Sequence, residues 1–496
     1  MNRLMATCAA VLTAAMLLAR PSAASGSEEE NEAHGANHDD EDDESEFSVM
    51  QMLANAGKHD LQRERWNAYG QFTYISSWKA PFSAAYTNLN GSPHSLSPDS
   101  EHSFTATATL YAGLALWPGA EVYAVPEVIS SRPLSGLVGL GASIQNFELQ
   151  KQGAIAPTVY LSRLYLTQTI NFGGSRVERS SGPMQLGTTV DSRRLVLAVG
   201  TYSILDFFDR NSVVGDPRRQ FFNMAFLSHG AYDFAADARG YTFGGLFELH
   251  LDDWALRAGR FAAPKQPNQL ELEYRMDRYY SDQVELEHVH RISGRRGAVR
   301  LLGYRNRLNT GSFSDAVGAF QADPSKNGAA CTSFNYGSSN TSAPDLCWAR
   351  EPRIKVGLGV SFEQQITNDV GVFLRAMVSD GRTEVYSFTS SDTSTSFGAV
   401  VHGTPWHRPA DVVGTAYASS WISSAHAQYL SLGGVDGFIG DGALRRGSER
   451  VFELFYSLHV YRSIALSADY QHISNPAYNA DRGPLNVLSG RIHAEF

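Results

Sequence analysis

Apolar and polar side chains alternate through residues 488–496, which read LSGRIHAEF. Every second residue is apolar or glycine, and the residues between them are Ser, Arg, His and Glu. Because successive side chains of a strand point to opposite faces, this pattern predicts a strand with one apolar and one polar face. The apolar face of such a strand contacts either a protein core or lipid. The pattern in the rest of the chain distinguishes these two cases.

The same period continues from Trp66 onwards and is most regular at residues 353–363. One predicted face of that segment carries Ile354, Val356, Leu358, Val360 and Phe362. The other face carries Arg353, Lys355, Gly357, Gly359, Ser361 and Glu363. Similar alternation occurs near residues 104–116, 160–170, 194–202, 241–250, 254–261, 299–306, 371–378, 451–461 and 464–471. The region 66–496 is therefore predicted to be all-β.

Several features of these segments favour a membrane barrel over a soluble sheet sandwich, which is the alternative. The segments are about ten residues long, the length of a tilted strand that crosses a bilayer. Tyr, Phe and Trp cluster at segment ends, as in the aromatic girdles of outer-membrane barrels. A sheet in lipid must also close, because unpaired edges are costly there. About 430 residues, at roughly 27 per strand and loop, predict a transmembrane antiparallel β-barrel of about 16 strands.

The N-terminal region predicts export from the cytoplasm. Residues 1–24 combine a basic start, an apolar stretch and small residues before Ser25, which is typical of a cleaved signal peptide. A membrane anchor is the alternative, but the apolar stretch is short and no stop-transfer pattern follows it. No later stretch reaches about 18 uncharged apolar residues, so no membrane-spanning helix is predicted after the signal. The predicted location is the bacterial outer membrane.

Between the signal and the barrel, residues 25–46 form an acidic low-complexity segment and residues 47–65 a possible short helix or linker. Residues 27–46 carry 11 Asp and Glu side chains and neither Lys nor Arg, which predicts disorder. His34 and His38 among these carboxylates invite a metal-binding interpretation, and a solvated tail or spacer is the simpler one. Without this segment the net charge of −10 falls close to zero. No nucleic-acid partner is predicted, because the barrel has no basic field.

Cysteine and motif content point to an exported protein without an enzyme signature. Cys331 and Cys347 lie close together in a stretch rich in Ser, Asn and Gly. Such a pair predicts a loop disulfide, with two free thiols as the alternative. The sequence contains none of the motifs of serine hydrolases, zinc proteases or P-loop enzymes. His288 and His290 share one predicted strand face, but a pair without a third ligand does not make a metal site. No catalytic residue, cofactor or metal is therefore predicted.

The polar faces of the strands supply the candidate residues of a pore. The side chains predicted to point into the lumen from separate strands are Arg163, Arg194, Arg257, Arg375, Glu127 and Glu248. Arg and Glu offer directional donors and acceptors to hydroxyl groups, and a ring such as that of Tyr165 stacks on the C–H groups of a sugar. A lumen of this kind suits neutral polyols. The alternative is that these charges pair with one another and only fill the lumen.

Seven longer stretches carry a family resemblance. They are TATLYAGLALWPGAEVYAVPEV (107–128), YLSRLYLTQTINFGG (160–174), DSRRLVLAVGTYSILDFFDRNSVVGDPRRQFFN (191–223), AYDFAADARGYTFG (231–244), WALRAGRF (254–261), VRLLGYRNRLNTGSFSDAV (299–317) and QHISNPAYNADRGPLNVLSGRIHAEF (471–496). Together they resemble the carbohydrate-selective porins of the OprB type, which occur in the outer membranes of Gram-negative bacteria. The resemblance implies a 16-stranded barrel that passes small carbohydrates such as monosaccharides by facilitated diffusion.

The resemblance also implies a constriction built from arginine and acidic side chains. Arg163 matches an arginine in the family's RLxLxQT-like strand, and Glu148 matches the glutamate of an Asn-x-Glu sequence in the loop before that strand. Phe496 on an amphipathic strand resembles the signal read by the outer-membrane assembly machinery, so the implied partners are sugars, lipid and that machinery. The family's Gly-Phe-Pro-Asn-Gly-Glu stands here as SIQNFE at residues 143–148, which leaves the substrate preference open.

Three other functions stay open at this point. They are a general or other small-solute porin, an outer-membrane barrel enzyme such as a lipid hydrolase, and a metal-collecting surface protein that uses residues 27–46. The missing nucleophile motif argues against the enzyme. The pattern does not tell which sugar passes, which loop folds into the lumen, or whether the protein is a monomer or a trimer.

Overall fold

The computed structural model describes residues 48–151, 153–325, 342–461 and 463–496. Within these residues, sixteen strands hydrogen-bond in chain order into one closed antiparallel barrel, and the last strand pairs with the first. We name them β1 to β16 in chain order: Trp66–Lys79, Glu101–Trp117, Ala120–Arg132, Thr158–Asn171, Arg193–Tyr202, Thr242–Leu251, Trp254–Phe261, Tyr280–Ile292, Arg295–Gly311, Arg350–Gln365, Val370–Ser379, Thr393–Gly403, Arg408–Trp421, Glu449–Tyr461, Ile464–Ser474 and Leu485–Glu495. The prediction of a barrel with 16 strands is confirmed.

The described residues also contain three α-helices, α1 (Val49–Asn55), α2 (Phe313–Ala322) and α3 (Ser424–Ser431). Each begins after a serine whose hydroxyl accepts a backbone N–H of the first turn, namely Ser48, Ser312 and Ser423. Short 3₁₀ turns occur at Leu89–Gly91, Leu134–Gly136, Phe147–Lys151, Ile204–Asp206, Met224–Phe226, Leu346–Ala349, Thr404–Trp406 and Pro476–Tyr478. Two small hairpins pair Arg176–Arg179 with Thr188–Asp191 and Ala263–Pro264 with Leu272–Glu273. None of the described helices has the length and apolarity needed to span a membrane.

The two faces of the wall follow the alternation of the sequence. In β10 the side chain of Leu358 is 68% exposed, whereas Lys355 is 1% exposed. Ile354 and Val356 share the exposed face with Leu358. Tryptophans are exposed at several strand ends, as in an interfacial girdle: Trp66, Trp78, Trp117, Trp254 and Trp421. A closed barrel with an apolar outer face flanked by aromatic rings is the pattern of a barrel that lies in lipid.

The connections between strands differ in length at the two ends of the barrel. At one end they are short: residues 118–119, 252–253, 293–294, 366–369 and 404–407. At the other end they are longer: residues 80–100, 133–157, 203–241, 262–279, 312–349, 380–392, 422–448 and 475–484. Residues 172–192 are an exception, a long connection at the short-turn end. In bacterial outer-membrane barrels the short turns face the periplasm and the long loops face outward.

Phe496 packs on the first strand of the barrel. The backbones of Phe496 and Gly70 exchange two hydrogen bonds with N···O distances of 2.7 and 3.0 Å. The ring of Phe496 lies so close to Gly70 that a Cβ atom there would come within 2.2 Å of it. Glycine at residue 70 therefore makes room for the ring. The role of Phe496 as an assembly signal stays a prediction.

Some predictions concern residues outside the described part of the chain. These residues are the signal peptide 1–24, the acidic segment 25–46 and Cys331. Cys347 is disulfide-bonded. Because Cys331 lies outside the described residues, the pairing of the two cysteines stays a prediction.

Candidate pore and constriction

Residues 203–241, which connect β5 to β6, fold into the lumen of the barrel, and we call them the inner segment. Its buried aromatic side chains, each at most 5% exposed, are Phe207, Phe208, Phe221, Phe222, Phe226, Tyr232, Phe234 and Tyr241. Leaving such a side chain in water would forgo roughly 2 kcal/mol of hydrophobic stabilisation. Inside the barrel the ring of Phe221 instead packs against Phe455 and Phe373 of the wall, at centroid distances of 4.9 and 6.0 Å. The apolar composition of the connection thus explains why it folds inward.

Carboxylates of the wall bind backbone N–H groups of the inner segment. Glu453 of β14 accepts the N–H groups of residues 222 and 223. Glu285 of β8 accepts the N–H of Asp209 at 2.7 Å, and Glu363 of β10 accepts the N–H of Ser212 at 2.6 Å. These charge-assisted bonds satisfy backbone groups that have no strand partner. The inner segment is therefore attached to three strands of the barrel.

Arginines of the wall bind carbonyl groups of the same segment. Arg375 of β11 donates to the carbonyls of Phe226 at 3.0 Å and Asp209 at 3.1 Å. Arg491 of β16 donates to three further carbonyls, those of residues 217, 219 and 220, at 2.7–2.9 Å. Burial alone would raise the pKa of the Asp209 side chain, but Arg375, His229 and the hydroxyl of Ser228 act together against burial, and that pKa lies below its ordinary value. The ionised carboxylate and the guanidinium thus stabilise each other inside the lumen.

A second connection, residues 133–157, also turns inward, and Glu449 at the start of β14 holds it. The carboxylate of Glu449 accepts the backbone N–H groups of residues 141–143 at 2.7–2.9 Å. It also accepts the hydroxyl of Ser143 and the backbone N–H of Ala477, both at 2.7 Å. Five hydrogen bonds to one buried carboxylate satisfy its charge and join two connections at the long-loop end.

A cavity of about 470 Å³ remains between the inner segment and the wall. Its lining includes Pro183 and Met184 from the short-turn end and Arg239 and Tyr241 from the long-loop end. The charged side chains that line it are Lys151, Arg163, Asp206, Asp216, Arg218, Arg219, Arg239 and Glu495. The aromatic side chains that line it are Tyr111, Phe147, Phe234, Tyr241 and Phe388. Because its lining comes from both ends of the barrel, we take this cavity as the candidate pore.

Arg218 of the inner segment lies at the centre of an ion network beside the cavity. Its Nη2 atom is 2.8 Å from Glu127 and its Nε atom is 2.9 Å from Glu148. Glu127 also accepts Lys151 Nζ at 3.0 Å and the hydroxyl of Tyr160. Both carboxylates are at most 1% exposed and so lie behind the two cations. Burial would lower the pKa of Arg218, but Glu148 and Glu127 outweigh it and hold that pKa above its ordinary value.

Arg163 of β4 faces the same cavity and is held by the inner segment. Its Nε and Nη2 atoms donate to the two carboxylate oxygens of Asp206, each at 2.7 Å. Its guanidinium lies 5.1 Å from the ring centre of Tyr241. Arg239 lies 4.5 Å from the ring centre of Tyr160, whose ring neighbours that of Tyr241 at 6.1 Å. Guanidinium groups and aromatic rings therefore adjoin one another along this part of the cavity.

The predicted pore residues that the structure brings together at the cavity are Arg163, Glu127 and Glu148. Two other predicted residues, Arg257 and Glu248, pair across β7 and β6 with a distance of 2.7 Å. Arg257 also donates to Glu285 at 2.8 Å. This pair belongs to the charge network of the wall and does not line the cavity.

The remaining three predicted residues lie apart from the cavity. Arg375 is 1% exposed and binds the inner segment. Tyr165 is 5% exposed, and its ring packs 5.3 Å from that of Tyr123. Arg194 lies at the short-turn end of β5 and donates to the carbonyl of Asp191 at 2.9 Å. The pattern of alternation placed these side chains on the inner face, but their contacts there are with the protein itself.

Among the side chains of the cavity that sequence reasoning missed are Lys151, Arg218, Arg239 and Tyr241. They lie in connections, and strand alternation does not address connections. The composition of residues 203–241 could have predicted this placement. The segment is rich in large apolar side chains, which are unfavourable in a connection exposed to water. That composition indicates burial, and burial would have placed the arginines of the segment inside the barrel.

The arrangement of the cavity fits the recognition of hydroxyl groups. Guanidinium and ammonium groups supply fixed donors, the carboxylates supply acceptors, and the tyrosine rings supply faces for C–H groups. The size of about 470 Å³ lies within the range of cavities that hold small ligands. Among the described residues, no group of three or more His, Cys, Asp and Glu side chains is placed to hold a metal ion.

Comparison with known families gives one match over most of the chain. The family described as "Carbohydrate-selective porin, OprB family" matches residues 93–496. The matched part contains every strand from β2 to β16 and both connections that fold inward. No curated protein sequence matches the chain significantly.

Comparison with solved structures shows the same fold in a porin of Pseudomonas putida. The high-pH structure of Pseudomonas putida OprB has a TM-score of 0.66 at 15% identity and covers 91% of this chain and 99% of that chain. The low-pH structure of the same protein has a TM-score of 0.47 at 14% identity with the same coverage. The outer membrane channel DcaP of Acinetobacter baumannii has a TM-score of 0.46 at 10% identity and covers 87% of this chain and 97% of that chain. Of these three only the first exceeds a TM-score of 0.5, and at 15% identity it supports the fold alone.

Proposed function

The chain belongs to the OprB family of carbohydrate-selective porins, and from this premise we propose that it passes small neutral carbohydrates such as monosaccharides across the outer membrane by diffusion. The proposed path is the cavity between the inner segment and the wall. The proposed constriction is the part of that cavity formed by Arg163, Arg218, Lys151 and Tyr241.

One observation carries this proposal, the pairing of each cation at the constriction with a carboxylate. Arg163 pairs with Asp206, and Arg218 and Lys151 both pair with Glu127. A neutral polyol therefore meets oriented donors and a ring face without a strong net field. Because each cation is balanced by a carboxylate at short range, an ion of either sign gains little there, so the arrangement favours uncharged solutes.

The test is the single-channel conductance of the refolded protein in a planar bilayer, titrated with glucose and then with other sugars. A stable open level with saturable block by sugar is expected, because a sugar bound at the constriction excludes ions from the narrowest part. Flux of glucose should also exceed that of a zwitterion of equal size. Equal flux of the two solutes would refute the sugar preference and leave a general porin.

Replacing Arg163 with alanine is expected to widen the pore and weaken the block by sugar. The change removes a guanidinium from the cavity surface and the two hydrogen bonds that hold it to Asp206. Loss of one or two hydroxyl contacts corresponds to about 1 kcal/mol, or a roughly fivefold higher half-blocking sugar concentration. The measurement is the concentration dependence of block in single-channel records.

Arg194→Ala is the matched control, because Arg194 is also a strand arginine but lies away from the cavity. It should leave conductance and block unchanged. Unchanged conductance and unchanged block in Arg163→Ala would show that Arg163 does not form the constriction.

A further inference from the structure

Three arginines project from the outer face of the barrel at its long-loop end. Arg260 on β7 and Arg305 and Arg307 on β9 are all exposed. Asp282 on β8 stands between the first two and accepts Arg260 Nε and Nη2 at 2.7 and 2.9 Å, while Arg305 Nη1 is 3.8 Å away. We call Arg260, Asp282, Arg305 and Arg307 the outer arginine row.

Two guanidinium groups of the row are held in place against one buried ring. The guanidinium of Arg260 lies 4.0 Å and that of Arg305 5.4 Å from the ring centre of Tyr280. Arg305 Nη1 also donates to the hydroxyl of Tyr280 at 2.5 Å. Tyr280 is 7% exposed, yet the arginine side chains remain 48% and 46% exposed. The row therefore presents fixed donors to whatever lies outside the barrel.

The strand register places the outer arginine row at the edge of the apolar outer surface that is nearer the long-loop end. Asp282 pairs with Arg260 on one side and Arg305 on the other, and Arg307 lies opposite Tyr280. The next outward side chains toward the short-turn end are apolar or glycine: Ala258, Val284, Gly303 and Leu358, followed by Leu256, Leu286, Leu301 and Val360. The row thus lies where the hydrocarbon of the outer leaflet gives way to its headgroups.

The charge of the row exceeds what its own carboxylate can balance, because three guanidinium groups share one aspartate. Arginine is costly at the centre of a bilayer but close to neutral in cost at the interface, where its fork matches two phosphate oxygens. Basic side chains clustered at that depth attract anionic headgroups. We propose that the outer arginine row binds a phosphate group of a phosphorylated lipid in the outer leaflet, through Arg305 and Arg307 with Arg260 as a flanking charge.

The test offers the purified barrel in detergent an equimolar mixture of bis-phosphorylated lipid A and the same lipid after dephosphorylation. Native mass spectrometry then measures which of the two lipids the folded barrel carries. The wild-type barrel is expected to carry the phosphorylated form on the order of tenfold more often. In Arg305→Ala/Arg307→Ala this preference should fall to near parity. A wild-type barrel without preference, or a double variant that keeps it, would overturn the proposal.

Two further variants separate the proposed site from general charge and from folding. Arg450→Ala removes an exposed arginine at the same end of the barrel, on β14, and should keep the wild-type preference. An equal loss in Arg450→Ala would show that net charge and not the row binds the lipid. Arg307→Ala alone leaves the contacts of Tyr280 and Asp282 intact, so it should fold as the wild type does and lose part of the preference. A preference unchanged in Arg307→Ala would remove Arg307 from the site.

Discussion

Replacing Arg218 with alanine is expected to turn the proposed constriction into a wider opening that prefers cations. The guanidinium of Arg218 separates Glu127 and Glu148 from the cavity and balances their charge. Without it, two carboxylates border the path, and Lys151 is the one cation of the described residues that still pairs with Glu127. The open-channel conductance should rise by about twofold, and the reversal potential in a salt gradient should shift in the cation-selective direction.

The same substitution is expected to destabilise the inner segment. Removing one partner of a buried ion network leaves uncompensated charge, which costs about 3–5 kcal/mol. Arg218→Lys is the conservative comparison, because it keeps a positive charge and loses the geometry that reaches both carboxylates. It should recover most of the ion selectivity and little of the sugar block. If Arg218→Ala kept the selectivity of the wild type, the network would not border the ion path.

Replacing Glu449 with alanine is expected to release the connection at residues 133–157 while the barrel wall stays intact. The substitution leaves the N–H groups of residues 141–143 and of Ala477 without their acceptor. Hydrogen bonds to a charged group contribute about 1.5–3 kcal/mol each, and water can recover part of this once the connection opens. A net change of about 3 kcal/mol would raise the open population of this connection on the order of a hundredfold.

Hydrogen exchange measures this release directly at the amides of residues 141–143. Those amides should exchange far faster in Glu449→Ala, while the amides of β9 and β10 keep their protection. Glu351→Gln is the matched control, because Glu351 is an exposed carboxylate at the start of β10 that forms an ion pair with half-buried Arg353. Unchanged exchange at residues 141–143 in Glu449→Ala would mean that other contacts hold the connection.

The wall of the barrel could be predicted from sequence because each strand carries its own signal. In β10, Leu358 and Lys355 fall on the faces that alternation assigns to them, one toward lipid and one toward the lumen. Lipid tolerates little beyond apolar side chains, and this constraint acts on every outward residue separately. The outward or inward direction of a strand side chain can therefore be predicted without knowing which residues contact it from elsewhere in the chain.

The contents of the lumen could not be predicted in the same way. Alternation predicts Arg375 on the inner face, but its partners are the carbonyls of Phe226 and Asp209, far away in the chain. Alternation also predicts Glu127 in the pore, but its position behind Arg218 depends on how residues 203–241 fold. Contacts between a wall and a connection are set by packing in three dimensions, and the period of a strand carries no information about them.

The attachment of the inner segment has a consequence for how such a channel can diverge. The wall binds the backbone of this segment and not its side chains in these contacts. Peptide N–H groups donate to Glu453, Glu285 and Glu363, and peptide carbonyls accept from Arg375 and Arg491. Every amino acid supplies a carbonyl, and every one except proline supplies an N–H. Residue 217 is a proline, and the wall uses only its carbonyl. Side chains of the inner segment that face the cavity can therefore be substituted while these backbone hydrogen bonds to the wall remain. The solute preference of such a channel can thus change during evolution without a change in how the segment is attached.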